Sequence, residues 1–413
     1  MINLLFYLIG IKGNAMAALA RVLIDYNYEV MGVDFDEHFA TEDKLNCRVE
    51  SFKAMSLNRD YFYIIGNAFK EHSVTRYLIN NKFNYDYYPH FISTFFSKRF
   101  VCVAGCHGKT TTTSLLAHIN NEANYIIGNG DGKGNKDNKW FILEACEYQN
   151  TFLNYKSEIA LILNIDYDHP DFYKDLDDVI SSYILFARKA FIIVINGDDP
   201  NSKYITGNVI RYGMNKQNDI VFNVNGKKVY LCDEEYEMPC YGLHYAYDFV
   251  GAYIVSKLMN MKSEIIYDRI KSFKFPKRRR EIKNVGNKII VCDYAHHPSE
   301  IKALYKSLKE EYKEYKIIAI YEPHTYSRTI KFQEEYNEVL ALFDDAYILD
   351  IFTSAREQYN PELEKNIYQG FPYKRFKKEL FAKPKEMNNM VICFIGAGII
   401  DKIYLEFIKK ESH

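Results

Sequence analysis

The sequence has no apolar run long enough to cross a membrane, and its formal net charge is only −1 over 413 residues. Nucleic acids and anionic membranes are bound by broad basic surfaces, which a nearly neutral chain does not provide. Its residues are 48% hydrophobic, which is enough to build a buried core. We therefore expect a soluble, globular protein with no nucleic-acid or membrane partner.

The eight cysteines are scattered and form no Cys-x-x-Cys pair, so their spacing favours free thiols. Three of them, Cys102, Cys292 and Cys393, lie inside apolar strand-like runs, as buried thiols in a reducing compartment do. Residues 1–10 are apolar but lack a basic leader and a small-residue cleavage site, which predicts a buried first strand and not a signal peptide. Together these features indicate a cytoplasmic protein.

Apolar strand-like runs alternate with helical stretches along the whole chain, which predicts an α/β fold with mostly parallel sheets. The length allows two or three domains, and we place three at residues 1–98, 99–281 and 282–413. We expect a Rossmann-like N-terminal domain, a central parallel sheet like that of P-loop ATPases, and a Rossmann-like C-terminal domain. The expected later strands are 159–164, 191–196, 288–292, 316–321, 346–351 and 390–395, with a helix at 247–259.

The segment from Gly105 to Thr111 follows the apolar run 100–104 and leads into a helix-like stretch. A strand, a tight glycine loop and a helix start form a cradle for phosphate, because loop N–H groups and the helix N-terminus face the anion. Lys109 can reach the outer phosphates of a nucleotide, and the Thr110 hydroxyl can bind Mg²⁺. The common loop reads G-x-x-x-x-G-K-[ST], but Val103 stands at its first glycine position, and an ordinary βα turn is the alternative.

Acidic residues and histidines follow four of the strand-like runs. Glu144 ends one run, and the segment 164–171, which contains His169, follows the next. Parallel sheets place active sites at the carboxyl ends of their strands, and Mg²⁺ prefers carboxylate oxygens. The segments 293–300 and 322–329 follow two later runs, and their His, Asp and Arg residues suit ribose, phosphate or a carboxylate better than a structural zinc.

Two further patterns are open to a simple structural explanation. The glycine-containing turn 10–16 and the following strand, which ends near Asp34, form a βαβ start. Ala15 stands where a dinucleotide-binding turn has glycine, so a nucleotide-sugar site and a packing turn both remain open. His244 and Asp248 are four residues apart at the start of a helix, a spacing that a helix cap also explains.

In combination, these motifs resemble the Mur ligases, the ATP-dependent enzymes that build the peptide stem of the bacterial cell wall. The resemblance covers nearly the whole chain in the order of the family. Its segments are 10–16, 32–34, 39–42, 66–69, 105–111, 144–148, 164–171, 277–279, 293–298, 323–328 and 396–398. It is strongest to the branch that joins L-alanine to UDP-N-acetylmuramate.

The resemblance implies ATP and Mg²⁺ as cofactors, an acyl-phosphate intermediate, and a monomer or homodimer. It assigns ATP binding to Gly105, His107, Gly108, Lys109, Thr110, Thr111, His244, Asp248, Arg279, Asp293 and His297. It assigns UDP-sugar binding to Gly10, Lys12, Gly13, Met16, Asp34, Thr41 and Asn67. Catalysis is assigned to Lys109, His169, His324 and Arg328, and Mg²⁺ binding to Thr110, Glu144 and His169.

The chain departs from the family at several positions. The adenine segment of the family reads G-x-H-N-x-x-N, but Tyr245 and Asp248 replace the two asparagines, and an ionised carboxylate accepts hydrogen bonds without donating them. Thr325 stands where arginine is frequent, and Ile399 where aspartate is frequent. A recycling ligase that adds a whole tripeptide to the same sugar nucleotide is an alternative, as is a non-catalytic nucleotide-binding protein.

Overall fold

The computed structural model describes residues 4–353, 357–377 and 389–411. The chain divides into two compact units, and neither unit is continuous in sequence. The first unit comprises residues 1–166, 177–221 and 248–270, and the second comprises 167–176, 222–247 and 271–413.

The first unit begins with a five-stranded parallel sheet whose strand order is β3-β2-β1-β4-β5. Its strands are β1 (Leu5–Ile9), β2 (Glu29–Asp34), β3 (Arg48–Ser51), β4 (Phe62–Ile65) and β5 (Tyr85–Tyr87), and its helices are α1 (Asn14–Asp25), α2 (Ser73–Asn80) and α3 (Tyr88–Phe95). The order reverses between β1 and β4, and such a switch point is where open α/β sheets leave a crevice for ligands.

A larger sheet follows in the same unit, in the order β12-β11-β10-β6-β9-β7-β8. Its elements are β6 (Arg99–Ala104), α4 (Lys109–Ile119), β7 (Asn124–Ile126), β8 (Gly132–Lys133), β9 (Trp140–Glu144), β10 (Ser157–Ile162), α5 (Leu176–Ala187), β11 (Ala190–Asn196) and β12 (Val209–Gly213). Strands β7 and β8 pair antiparallel, and the other pairings are parallel. The central strands β6 and β10 are almost entirely buried apolar runs, as expected for a parallel sheet covered on both faces.

An antiparallel ribbon comes next, formed by β13 (Ile220–Asn225), β14 (Lys228–Leu231) and β15 (Glu234–Glu237). It leads into α6 (Leu243–Leu258) and α7 (Ser263–Ser272). The sequence pattern does not predict this ribbon, because its strands are only six, four and four residues long.

The six-stranded sheet of the second unit has the order β16-β17-β21-β18-β19-β20, with β16 and β17 antiparallel and the other pairings parallel. Its strands are β16 (Glu281–Val285), β17 (Lys288–Asp293), β18 (Lys316–Glu322), β19 (Asp345–Ile348), β20 (Lys374–Arg375) and β21 (Met390–Gly396). Its helices are α8 (Pro298–Glu311), α9 (Tyr326–Lys331), α10 (Gln333–Leu340), α11 (Pro361–Gln369) and α12 (Ile400–Glu411). Buried side chains cover both faces of this sheet.

The predicted α/β class with mostly parallel sheets is confirmed, and the strand positions agree within a few residues. Two expectations need correction. The helix expected at 247–259 already begins at Leu243, and the strand expected at 346–351 ends at Ile348. All eight cysteines lie within the described residues as thiols outside disulfides, and Cys102, Cys292 and Cys393 are buried as predicted. Within the described ranges, no helix is both long and apolar enough to cross a membrane.

The packing of α12 on the six-stranded sheet of the second unit can be tested by mutation. Phe394 on β21 is fully buried, and its ring lies 5.9 Å from that of Tyr404 and 5.6 Å from that of Phe407 on α12. We expect Phe394→Ala to lower the free energy of unfolding by about 3–5 kcal/mol in urea denaturation, because it removes buried surface and leaves a cavity. The control Phe191→Ala, at a side chain that is 67% exposed, should change it by less than about 0.5 kcal/mol. Equal effects of the two would contradict this packing.

Candidate active site

The phosphate loop lies between β6 and α4, at the edge of the sheet where the neighbouring strands also end. Gly105 has φ +151° and Gly108, the residue that caps α4, has φ +82°, and both values favour glycine over any residue with a Cβ. Lys109, Thr110 and Thr111 form the first turn of the helix. The loop therefore has the backbone that the sequence predicted for a phosphate cradle.

Asn164, two residues beyond the end of β10, holds this loop in place through both ends of its side-chain amide. Its Oδ1 accepts a hydrogen bond from the His107 backbone N–H at 2.9 Å, and its Nδ2 donates to the His107 carbonyl at 3.0 Å. The imidazole Nε2 of His107 lies 3.4 Å from a carboxylate oxygen of Asp166. Side chains that follow a neighbouring strand thus fix the loop, so its shape does not depend on its own sequence alone.

The Lys109 ammonium makes an ion pair with the carboxylate of Glu147, with the shorter Nζ–Oε distance at 2.8 Å. It also donates to the carbonyls of Gly105 and Cys106. Burial by itself would lower the pKa of Lys109, but the Glu147 carboxylate more than offsets this, so its pKa is raised and the side chain is charged.

Thr110 and Glu144 form the pair of oxygen ligands expected for Mg²⁺. The Thr110 hydroxyl donates to Glu144 Oε1 at 3.1 Å, and Glu144 Oε2 accepts from the Gly128 backbone N–H at 2.7 Å. One hydroxyl and one carboxylate beside a phosphate loop are a donor set that fits Mg²⁺, which commonly takes only one or two ligands from protein.

Asp248 on α6 lies directly against the phosphate loop. It is only 6% exposed, and its Oδ1 would come within 2.8 Å of a Cβ added at Gly108. Any side chain at position 108 would therefore meet both a left-handed backbone and this carboxylate. Asp248 stands beside the phosphate loop, and its contact with the nucleotide stays a prediction.

The residues predicted to bind the sugar nucleotide come together around the first turn of the N-terminal sheet. Asp34 accepts from the Lys12 N–H at 2.7 Å and from the Phe35 N–H at 2.9 Å. The Thr41 hydroxyl donates to the Lys12 carbonyl, and the Lys12 ammonium pairs with Glu42 at 2.9 Å. Asp34, at the carboxyl end of β2, thus braces the turn that follows β1.

The glycines of this turn are required by close contacts. A Cβ at Gly10, which has φ +83°, would lie 2.4 Å from the ring of Phe69. Gly13 is the N-cap residue of α1. The buried Met16 on this helix lies beside Gly66, and Asn67 is the residue after Gly66. The Asn67 Nδ2 donates to the Thr151 hydroxyl at 3.0 Å.

In the second unit, Arg328 on α9 and Asp168 form a buried ion pair. The guanidinium donates to Asp168 Oδ1 through Nε at 3.0 Å and through Nη2 at 2.8 Å, and its Nη1 lies 2.9 Å from His324 Nδ1. The two side chains are 3% and 5% exposed, so each needs the other's charge. Burial would raise the pKa of Asp168, but His169 and Arg328 hold it well below its usual range.

Histidines surround this pair. His169 has φ +57°, and its backbone N–H donates to Asp168 Oδ1 at 2.7 Å. The His296 ring lies 5.6 Å from the ring of His324. Burial lowers the pKa of His296 to about 3, so this imidazole is neutral at ordinary pH. His169, His324 and Arg328, all predicted to act in catalysis, are therefore close neighbours within the second unit.

The remaining predicted nucleotide ligands are also held in the second unit. Asp293 accepts from the Arg280 and Ala295 backbone N–H groups at 2.7 and 2.8 Å, and the Arg279 guanidinium lies 4.7 Å from the Tyr294 ring centroid. His297 caps α8, with its Nδ1 accepting from the Ser299 N–H at 3.3 Å. The half-buried His244 packs its ring on Tyr245, and desolvation lowers its pKa to about 3.

Three residues in the quoted motifs have no role assigned from the sequence, namely Glu147, Asn164 and Asp168. Each lies a few residues after the end of a strand, and this position is the feature of the sequence that could have marked it as a site residue. The sequence does not identify the partner of each side chain, because Lys109, His107 and Arg328 are 38, 57 and 160 positions away.

Known proteins share this architecture. Residues 103–256 match the family model of the Mur ligase middle domain, and residues 278–391 match that of the Mur ligase glutamate ligase domain. The two matched segments together make up more than half of the chain.

The fold is similar to that of UDP-N-acetylmuramate-alanine ligase MurC from Thermotoga maritima, with a TM-score of 0.80, 18% identity and 98% of each chain covered. The fold is also similar to that of the murein peptide ligase Mpl from Psychrobacter arcticus, with a TM-score of 0.69, 19% identity and 99% of each chain covered. A third similar structure is a pseudomurein peptide ligase type C from Methanothermus fervidus. Its TM-score is 0.67 at 15% identity, and the match covers 99% of this chain and 100% of that one.

These similarities confirm the fold inferred from the sequence, with Rossmann-like N- and C-terminal domains around a central P-loop ATPase-like sheet. The matched family models extend from the phosphate loop to the last strand of the six-stranded sheet. The chain therefore belongs to the Mur ligases, a family of ADP-forming ligases.

Proposed function

We propose that this chain is an ATP-dependent amide ligase that joins L-alanine to UDP-N-acetylmuramate and releases ADP and phosphate, in peptidoglycan precursor synthesis. The observation that carries the proposal is the phosphate loop with the Thr110–Glu144 pair beside it, in a chain of this family. The similarity of fold to MurC and the sequence motifs of the alanine-adding branch support the choice of substrates.

The first unit would bind the phosphates of ATP and the UDP-sugar. ATP phosphates would lie on the loop from Gly105 to Thr111, with Lys109 reaching the outer ones. UDP-N-acetylmuramate would lie at the switch point between β1 and β4, against the turn that Asp34 braces. The predicted ligands of the UDP-sugar are Gly10, Lys12, Gly13, Met16, Asp34, Thr41 and Asn67.

The substrate's carboxylate would attack the γ-phosphate of ATP, which gives an acyl phosphate and ADP. The amine of L-alanine would then attack the acyl carbon, and inorganic phosphate would leave with the bonding electrons. Two anions have to approach each other in the first step, so positioning and charge neutralisation provide most of the catalysis. Lys109 supplies one positive charge from the protein itself.

Thr110 and Glu144 would hold Mg²⁺, and His169 is the third proposed metal ligand. When bound, the ion would neutralise negative charge on the phosphates. His244, Asp248, Arg279, Asp293 and His297 are the proposed contacts of the nucleotide outside the loop.

The acceptor amino acid would bind in the second unit. A small cavity next to the Arg328–Asp168 pair is lined by Pro170, Asp171, Thr325, Ser327, Arg328 and Glu357. Arg328 offers a positive charge there and His324 lies against it, so a carboxylate and an amine can be oriented together.

A tripeptide-adding ligase is the second candidate, because the murein peptide ligase from Psychrobacter arcticus is covered over 99% of its length by the same fold. We further propose a cytoplasmic monomer or homodimer with domain boundaries at 98/99 and 281/282. The first boundary lies between the end of the first sheet at Tyr87 and the start of β6 at Arg99, and the second lies one residue after the start of β16 at Glu281.

Replacing Lys109 tests the phosphate site. We expect Lys109→Ala to lower kcat for phosphate release, with UDP-N-acetylmuramate and L-alanine, by about 10²- to 10³-fold, the loss expected for a donor aimed at developing charge. The exposed Lys216 of the same unit is the matched control, and Lys216→Ala should leave kcat unchanged. Far-UV circular dichroism would verify that both variants are folded. Full turnover by a folded Lys109→Ala would rule out the phosphate-loop mechanism.

The choice of acceptor is tested by measuring phosphate release with UDP-N-acetylmuramate and, in turn, L-alanine, L-serine, glycine and the L-alanyl-γ-D-glutamyl-meso-diaminopimelate tripeptide. We expect the largest kcat/KM with L-alanine, because the segments 293–298 and 323–328 resemble those of the alanine-adding branch. Strong turnover with the tripeptide alone would replace the alanine-adding assignment by the recycling one. No phosphate release with any acceptor would favour a non-catalytic nucleotide-binding protein.

A further inference from the structure

The Lys109 ammonium points back into its own loop. It donates to the Gly105 carbonyl at 2.5 Å, to the Cys106 carbonyl at 3.2 Å, and to the Glu147 carboxylate at 2.8 Å. An ammonium group has three protons, and all three have acceptors inside the protein. A phosphate group on the loop can bind this ammonium only by taking one of those positions.

Glu147 is the strongest of these acceptors, because it carries a full negative charge and its side chain is 1% exposed. A buried carboxylate without a cationic partner is strongly unfavourable, because the protein interior does not replace the hydration that it loses. The carboxylate and the nucleotide phosphates are therefore rivals for the same cation.

The backbone that follows Glu147 has an unusual conformation, which hydrogen bonds hold in place. Gln149 and Asn150, which follow shortly after it, both have left-handed backbones with φ +54° and +56°. Such conformations persist only where the surrounding structure enforces them. Here the Asn150 N–H donates to the Glu147 carbonyl at 2.9 Å, and Asn150 Oδ1 accepts from Ser182 Oγ at 2.8 Å. Hydrogen bonds thus hold the backbone after Glu147, whereas the Lys109 ammonium reaches its acceptors at the end of a long side chain.

We propose that Glu147 is a positioning residue that holds Lys109 against the phosphate loop and competes with nucleotide phosphates for its ammonium. This rests on the proposed nucleotide site. The competition lowers the affinity for the bound phosphates, and so it favours release of ADP after the reaction. In this proposal Glu147 acts through Lys109 and touches no reacting atom.

Removing the charge of Glu147 tests the competition directly. We expect Glu147→Gln to tighten binding of inorganic pyrophosphate to the full chain by about tenfold in isothermal titration calorimetry, measured with EDTA to exclude metal ions. ADP should bind more tightly by a similar factor. A purely structural role predicts the opposite, because damage to the loop weakens binding.

Control variants separate competition from other effects. Asp248→Asn also removes a negative charge beside the loop, next to Gly108, but does not free Lys109, so it should tighten pyrophosphate binding less than Glu147→Gln. Glu158→Gln removes a carboxylate that pairs with Arg99 at the amino ends of β6 and β10, away from the loop, and pyrophosphate affinity should not change. Glu147→Asp keeps the charge on a shorter side chain and should bind pyrophosphate with an intermediate affinity.

The proposal is overturned if folded Glu147→Gln binds pyrophosphate no more tightly than Asp248→Asn does. Where Glu147→Gln is unfolded by circular dichroism, an affinity of Glu147→Asp equal to or below that of the unsubstituted chain overturns it instead. A failure of the proposed function gives a different result. If the chain has no nucleotide site, the unsubstituted chain itself will bind neither ADP nor pyrophosphate.

Discussion

The parallel register of three adjacent strands determines the phosphate site. Val103 of β6 pairs with Glu144 of β9, and Ala104 of β6 pairs with Ile162 of β10. Because the strands run in the same direction, they end at the same edge, and the segments that follow them meet there. For this reason the loop after β6 contacts both the Glu144 carboxylate at the end of β9 and the Asn164 side chain after β10.

Charge pairing away from water is the second constraint. Lys109 with Glu147 in the first unit, and Arg328 with Asp168 in the second, are ion pairs whose members are largely buried. Each pair fixes the direction of a cation that the proposed chemistry needs, since a buried guanidinium or ammonium follows its counter-ion. A ligand phosphate or carboxylate must therefore compete with a charge that the protein already supplies.

Much of the fold can be read from the sequence, because its signals are local. An apolar run followed by a glycine turn identifies β6 to within one residue, whereas α4 begins at Lys109, about three residues before the helix-like stretch expected after Thr111. The antiparallel ribbon β13–β15 is not predicted, because strands of four to six residues offer too few positions for a periodic pattern to stand out. The predicted start of α6 is four residues late, since neither Ser, Thr, Asp nor Asn stands before Leu243 to mark a cap.

The α/β class, the phosphate loop and the family resemblance follow from the order of residues alone, because each depends on neighbours in the chain. The partners of the charged groups depend instead on the folded chain. Asp168 and Arg328 are 160 residues apart, and no local pattern relates them. Glu147 stands three residues after Glu144, yet one carboxylate meets the Lys109 ammonium and the other the Thr110 hydroxyl. Which carboxylate meets which group depends on how the chain turns after β9, and a sequence motif does not contain that information.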